Sequence, residues 1–450
     1  MFSRVLVANR GEIAVRVIRG LHELGIEAVA VYSTADSGAL HVRLADRAVC
    51  VGPPPAAESY LRIPSIVAAA ATTGCQAVHP GYGFLAENPA FVEACADNDL
   101  VFVGPPADVM TRMGDKIAAR RAMRAANVPT VPGTEGATTV TAARAAADEL
   151  GYPVLLKAAA GGGGKGMRMV EAGEELEDAF GAAAAEAAAA FGDSALFVEK
   201  VLVPARHIEI QVVCDQHGNV LTLGERECSI QRRHQKLIEE TPSPALSPDL
   251  REEMEAAAER ACRAVGYVNA GTLEFLLGPD GTFSFIELNA RLQVEHPVTE
   301  LTTGIDLVHA QLRVAAGEPL AVTGRAPRRG HSIEIRLNAE DPERDFLPMP
   351  GLVTRFRPGQ GPGVRVDTFV EDGTRITPYY DSLLAKLVVW DVDRRSAIAR
   401  ALRALEETVI EGVPSTRELA IDVLGSGAFA GGDYSTSTLP ELMVPEWSAA

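Results

Sequence analysis

The segment FIELNARLQVEHPVTE, residues 285–300, places Glu287, Asn289, Arg291, Gln293 and Glu295 at every second position, with Ile286, Leu288, Ala290, Leu292 and Val294 between them. In an extended chain that period sends the polar groups to one face and the apolar groups to the other, so the segment reads as a strand with one face against a core. Two carboxylates, an amide and a guanidinium on a single face can hold a hard cation and an anionic substrate together. An ordinary half-exposed strand alternates in the same way. The rest of the chain decides between the two.

At 450 residues the chain is long enough for two to four domains and a large core. Its 60 acidic against 42 basic residues give a formal charge of −18, which argues against nucleic acid or an anionic membrane as the main partner. No apolar run approaches the roughly 18 residues needed to span a bilayer, and the N-terminal apolar stretch is too short for a signal sequence. The expectation is a soluble, cytoplasmic protein without a membrane partner. Cys50, Cys75, Cys95, Cys214, Cys228 and Cys262 stand far apart with no CxxC pair. Buried thiols, rather than a zinc site or disulfides, are expected.

The N-terminal stretch alternates short β runs with helical ones: VLVA, a helix from about Ile13 to Leu24 closed by Gly25, then AVAVY. That rhythm predicts a parallel α/β sheet. The turn NRGEIA after the first strand has one glycine where a dinucleotide fingerprint needs three, a weak nucleotide signal. HPGYGFLAEN (79–88) sets Tyr82 between two glycines at a loop tip. Prolines in VPTVPG (128–133) mark entry to a new unit, and the shift to glycine, proline and arginine near 317–332 suggests a second boundary. The alanine run at 181–191 reads as a plain helix, a further helix spans about Asp249 to Val265 capped by Gly266, and a last one runs from about Arg394 to Glu411. No internal repeat is found.

Between two β-like runs, KAAAGGGGKGMRMV (157–170) carries four consecutive glycines and a lysine. Ala159 stands where a Walker loop needs its first glycine and Gly166 where it needs Ser or Thr, so that loop is excluded. A glycine hairpin can still lay backbone N–H groups on a phosphate, with Lys157 as a fixed cation beside it, although a turn without ligand has the same composition. ERECSIQRRHQKLIEE (225–240) is either a solvated basic face or an anion site. GTLEFLL places Glu274 in an apolar strand joined by a short loop to the strand carrying Glu287. Two such strands bring the carboxylates side by side, an arrangement that a divalent cation between them relieves. A straight strand would hold Glu287 and Glu295 roughly 26 Å apart, so the chain must curve if both serve one centre.

Taken together, VLVANRGEIAVR, HPGYGFLAEN, KAAAGGGGKGM, ECSIQRRHQK, FIELNARLQVEHPVTE, GHSIEIRLNAEDP and YYDSLLAKL, in this order from about Met1 to Glu411, resemble the biotin carboxylase family of ATP-grasp ligases, of the acetyl-CoA carboxylase type. The resemblance implies an α/β and α+β multidomain fold: a Rossmann-like N-terminal domain (1–114), an ATP-grasp domain (115–316) with a mobile glycine-loop lid (about 131–203), and a mixed β/α C-terminal domain (330–445). It implies ATP at Lys116, Lys157, Gly163, Gly164, Met167, Glu199, Lys200, Leu202, His207, Gln231, His234 and Leu276, reached also by Glu274 and Glu287. Two divalent ions, Mg2+ or Mn2+, would be held by Glu274, Glu287 and Asn289. Bicarbonate would lie at Lys236, Arg291, Gln293 and the backbone of Val294, and biotin at Arg336 and Tyr82. Lys236, Arg291, Glu295 and Arg336 are the implied catalytic set. Glu295 acts as base, with its pKa moderated by Arg291 and the metal, and Arg336 stabilises the enolate-like oxygen of biotin. Lys165 inside the glycine loop and Ala290 between Asn289 and Arg291 are small departures.

The competing readings are another ATP-grasp ligase, which would lack RLQVEHPVTE together with Arg336 and HPGYGF, and a catalytically silent ATP-binding subunit, against which the complete residue set argues. A lysine between two methionines, the biotin-attachment pattern, occurs nowhere in the sequence. Biotin is therefore expected as a substrate on a separate carrier protein, with the carboxyltransferase also a separate chain and this chain a homodimer acting in fatty-acid synthesis.

Overall fold

A computed structural model describes residues 1–134, 139–159, 166–232 and 235–443. At the N-terminus β1 (Arg4–Val7), β2 (Glu27–Ser33), β3 (Arg47–Gly52), β4 (Ala77–His79) and β5 (Val101–Phe102) form a parallel sheet in the order β3-β2-β1-β4-β5. Strand order reverses between β1 and β4, which leaves a crevice where their following loops diverge. The loops meet there: Asn9 Nδ2 donates to the carbonyls of Pro80 (2.6 Å) and Tyr82 (2.8 Å). Arg10 forks onto Asp36 at 2.6 and 2.9 Å. The side chains of the NRGE turn are thus engaged with neighbouring protein. Its helix begins at Gly11 and ends at Glu23, a residue or two earlier than the sequence suggests at each end.

Three antiparallel strands, β6 (Val154–Ala158), β7 (Met167–Val170) and β8 (Leu196–Lys200), make a small second sheet in the order β7-β6-β8. Helices Val140–Leu150 and Leu176–Phe191 accompany it, and Ala143, Ala147, Leu156 and Val198 fill its small core. The alanine run forms the second of these helices, which stops at Gly192 in the left-handed region. Gly163 and Gly164 of the glycine loop, and His234, lie outside the described residues.

The large sheet contains nine strands. β9 (Arg206–Cys214), β10 (Val220–Arg232), β11 (Gln235–Thr241), β12 (Asn269–Leu277), β13 (Phe283–Asn289), β14 (Gly324–Arg325) and β15 (His331–Asn338) are joined by strands Leu383–Asp391 and Val364–Thr368. Its order is β13-β12-β9-β10-β11-β15, then Leu383–Asp391 and Val364–Thr368, with β14 beside β10. Because β11 pairs with β15, the sheet runs unbroken through the compositional shift near 317–332. One face of its first strands, with Ile208, Ile210, Leu273, Phe275 and Leu288, packs on helix Pro248–Val265. The other face is polar and carries the site.

Several local expectations change. The strand holding Glu287 stops at Asn289: the Ala290 N–H goes to Glu87 Oε1 (2.8 Å), and Pro297, which has no N–H to donate, sits in the first turn of helix His296–Thr303. The alternation from Arg291 to Glu295 therefore belongs to a bend, which supplies the predicted curvature. The basic segment 225–240 is not a solvated face; Arg226 is fully buried and most of its described neighbours are buried with it. Helix Arg394–Glu407 ends before Glu411, and Val409–Glu411 pairs as a strand with Arg355–Arg357. Five of the cysteines are buried, whereas Cys50, on the edge strand β3, is exposed.

Candidate active site

Strand register builds the centre. Glu287, Glu274, Glu209 and Arg226 are successive cross-strand partners across β13, β12, β9 and β10. Cross-strand partners share a face, so three carboxylates stand in a row that ends on a guanidinium. The predicted pairing of Glu274 with Glu287 is therefore present. Lys236, from β11, points into the row: its Nζ donates to Glu209 (2.6 Å), Glu274 (3.0 Å) and Glu295 (2.6 Å). Glu295 turns its second oxygen to Arg336 at 2.9 Å, and Arg336 Nε donates to Glu239 at 2.7 Å. Among the described residues, the ligand-type groups that converge within 4.8 Å inside this centre are His207–Glu209–Glu274 and Glu209–Cys228–Glu295. Both surround the Lys236 ammonium, so they form the cage of a lysine rather than of an ion.

The charges are strongly biased. Burial pushes the Glu274 carboxyl up, but Lys236 and His207, with Nε2 at 2.9 Å, hold it far below the usual carboxylate range. Glu295 is likewise raised by burial and brought well below its ordinary value by Lys236, Arg336 and Arg226. Its hydrogen-bond partners are Lys236 and Arg336, while Arg291 interacts with it through charge without a direct bond. Lys236 is opposed by burial and held well above the ordinary lysine value by Glu209, Glu274 and Glu295. Glu287 is raised by burial and by facing Glu274, with Lys116 relieving part of the repulsion. The hydrogen bond it accepts from Asn289 Nδ2 is a long one at 3.5 Å. Two opposed carboxylates with one under-compensated suit a hard divalent cation, with the Asn289 amide, whose nitrogen lies beside both, as a further group at the site. Glu274, Glu287 and Asn289 thus fit magnesium.

Arg291 organises the bend. Its guanidinium donates to Glu87 (2.9 Å), Asn289 Oδ1 (3.0 Å) and Gln293 Oε1 (3.0 Å), while Gln293 Nε2 reaches Glu274 at 3.1 Å. The Val294 carbonyl accepts from Lys386 Nζ at 2.9 Å. Tyr82 donates its hydroxyl to Glu12, beside Lys386. At the small sheet, Lys157 pairs with Glu199, which also takes Arg120. Burial and the Lys157 charge depress Lys116, against Glu287 and Glu199. Lys200 instead donates to the carbonyls of Gly151 (2.7 Å) and Tyr152 (3.3 Å). Gln231 lies across from Lys236 and Leu276 across from His207, while Met167 and Leu202 are half-buried on β7 and just after β8. Glu209, Glu87 and Lys386 were missed from sequence. Glu209 sits at i+2 from His207, and Glu87 lies within HPGYGFLAEN, which were their available signals.

Residues 1–110 match the family model described as "Biotin carboxylase, N-terminal domain", residues 115–323 "Carbamoyl-phosphate synthase L chain, ATP binding domain", and residues 334–441 "Biotin carboxylase C-terminal domain". A biotin carboxylase of Nostoc sp. is 52% identical over 443 residues, covering 98% of this chain and 99% of that one. The crystal structure of a biotin carboxylase–β,γ-ATP complex from Campylobacter jejuni superposes with a TM-score of 0.96 at 45% identity, covering 98% of this chain and 99% of that one. The biotin carboxylase domain dimer of Hydrogenobacter thermophilus 2-oxoglutarate carboxylase, solved with MgADP, ADP and bicarbonate, gives 0.95 at 46% identity, with 99% of both chains covered.

Proposed function

The chain belongs to the biotin carboxylase family, and from that premise we propose that it uses ATP and bicarbonate to carboxylate biotin presented by a carrier protein. The observation that carries this reading is the Lys236 cage, whose ammonium can trade a carboxylate for a bicarbonate anion without moving far. Lys157 and Lys116 would meet the phosphate oxygens as cations. Magnesium, when held by Glu274, Glu287 and Asn289, supplies neutralisation of charge on the phosphate oxygens. Lys236, Arg291 and Gln293 would orient bicarbonate, with the main chain at Val294 closing the pocket.

Glu295 removes the bicarbonate proton as a bicarbonate oxygen attacks the γ-phosphorus, forming carboxyphosphate and releasing ADP. With Lys236 and Arg336 both on it, Glu295 is a weak base. A bicarbonate anion that draws these cations toward itself raises the basicity of the carboxylate at the moment it is needed. Carboxyphosphate then gives CO2 and phosphate, and phosphate takes the N1 proton of biotin. Arg336, charged at any working pH, holds the enolate-like oxygen, and Tyr82 borders that region.

The finer assignments are a pair of divalent ions with Mn2+ able to replace Mg2+, the domain limits 1–114, 115–316 and 330–445, and a lid over about 131–203. They extend to a homodimer in the cytoplasm, separate carrier and carboxyltransferase chains, and an acyl-CoA, acetyl-CoA first, as final acceptor in fatty-acid synthesis. The described residues contain no helix long and apolar enough to cross a membrane. The test is ADP release with free biotin as acceptor. It should require bicarbonate and rise with biotin; a rate indifferent to both sinks the proposal.

A further inference from the structure

Arg226 is the largest fully buried side chain among the described residues, and it is not one of the groups proposed to bind substrate. Its guanidinium makes four contacts to three other elements: Nε to Glu209, one terminal nitrogen to Gln211 Oε1 (2.7 Å) and Thr299 Oγ1 (2.9 Å), and the other to Thr272 Oγ1 (3.1 Å). Glu209 and Gln211 lie on β9, Thr272 on β12, and Thr299 on the helix His296–Thr303. Register explains the reach: Arg226 is the cross-strand partner of Glu209, and Thr272 that of Gln211, so all four side chains share one face of the sheet.

The two ends of this span are the walls of the Lys236 cage. Glu209 gives Nε of Arg226 one oxygen and Lys236 the other. The helix that carries Thr299 starts directly after Glu295, the opposite carboxylate on Lys236. A planar fork with several donors in fixed directions sets both walls at once, which a point charge such as an ammonium cannot do. We propose that Arg226 is a positioning residue for the bicarbonate site: it fixes the gap between Glu209 and Glu295 and thereby where the Lys236 ammonium stands.

This inference rests on the proposed bicarbonate role of Lys236, and the test separates the two. Wild-type ADP release is measured against bicarbonate and ATP concentration in turn, with Arg226→Lys and Thr299→Val assayed below their melting transitions. Arg226→Lys should lower kcat/KM for bicarbonate at least about tenfold, and Thr299→Val, which loses one contact, about threefold, while KM for ATP stays within about twofold. Arg226→Lys should also release more ADP per biotin carboxylated, because a displaced lysine couples the two steps less well. If the lysine variant does not fold, Thr299→Val alone decides. Equal changes in both KM values, or a lowered melting temperature with unchanged bicarbonate kinetics, would reduce Arg226 to a structural residue and overturn the inference. A wild-type rate that ignores bicarbonate removes the reading beneath it.

Discussion

Lys236 and Lys157 are both largely buried lysines on β-strands facing glutamate, yet the charges around them are balanced differently. Lys236 faces three carboxylates, from β9, β12 and the bend before helix His296–Thr303. Lys157 faces one, Glu199, which it shares with Arg120, and Lys116 stands close enough to feel its charge. The first is a row of carboxylates matched by Lys236, Arg226 and Arg336, with Glu287 at its end the acid left least compensated, which suits a cation there. The second leaves cationic charge that Glu199 does not balance, which suits phosphate. A nucleotide–metal complex laid across them would meet a complementary partner at each end, so the contrast is a way of orienting it as well as binding it.

Lys236→Met should break the contrast most severely. Three buried carboxylates lose their common partner, a class of change that costs about 3–5 kcal/mol, and biotin-dependent turnover should fall by about 1,000-fold. Steady-state rates and thermal unfolding measure both. A variant that keeps near-normal bicarbonate-dependent turnover would mean that the cage is only structural. Next comes Glu274→Gln, which leaves the fold's hydrogen bonds largely in place but removes one of the two opposed charges that a cation between Glu274 and Glu287 would bridge. Mn2+ affinity, read by electron paramagnetic resonance, should weaken about 10- to 100-fold, and an unchanged affinity would move the metal site elsewhere.

Lys157→Met sharpens the comparison from the other side. Glu199 retains Arg120, so melting should shift little, whereas KM for ATP should rise about tenfold through the loss of one charged contact. The two lysine variants should thus separate: one loses stability and bicarbonate chemistry, the other loses nucleotide. Parallel losses in both would erase the distinction between the pockets.

The sequence makes the longer elements and the metal pair legible because they obey local rules. The hairpin that sets Glu274 against Glu287 follows from two apolar strands and a short loop, and helix Pro248–Val265 from its caps. What it hides is register among distant strands. Nothing local to Glu209 says that it lies between Glu274 and Arg226, since those pairings join residues 17 and 65 positions away along the chain. The end of the strand at Asn289 is hidden for the same reason: its cause is Glu87, about 200 residues earlier. The motifs contain Arg291, Glu295 and Arg336, but not the register by which Glu295 hydrogen-bonds Lys236 and Arg336 and meets Arg291 only through charge.

The smallest expected effect lies behind Arg336. Glu334 is fully buried on β15, opposite Glu239 on β11, and neither of its carboxyl oxygens has a hydrogen-bond partner. Burial holds it well above the ordinary value of 4.5, with the charges of Glu239 and Glu295 adding and those of Lys386 and Arg336 opposing, while Glu239 itself is pushed up to about 7 by burial and Glu295. A raised folded value means that Glu334 keeps its proton in the fold after the unfolded chain has lost it. Its stabilising contribution is full below about pH 4.5 and declines as pH rises toward the folded value. Glu334→Gln keeps the neutral shape and removes the titration, so wild type should lose melting temperature relative to the variant between pH 5 and 8, by roughly 2 °C. The same neutrality leaves Arg336 with positive charge to offer a substrate oxygen, which an ionised Glu334 would consume. Identical melting profiles would show Glu334 ionised in the fold, and the row of ionised carboxylates would then extend past Arg336 instead of ending there.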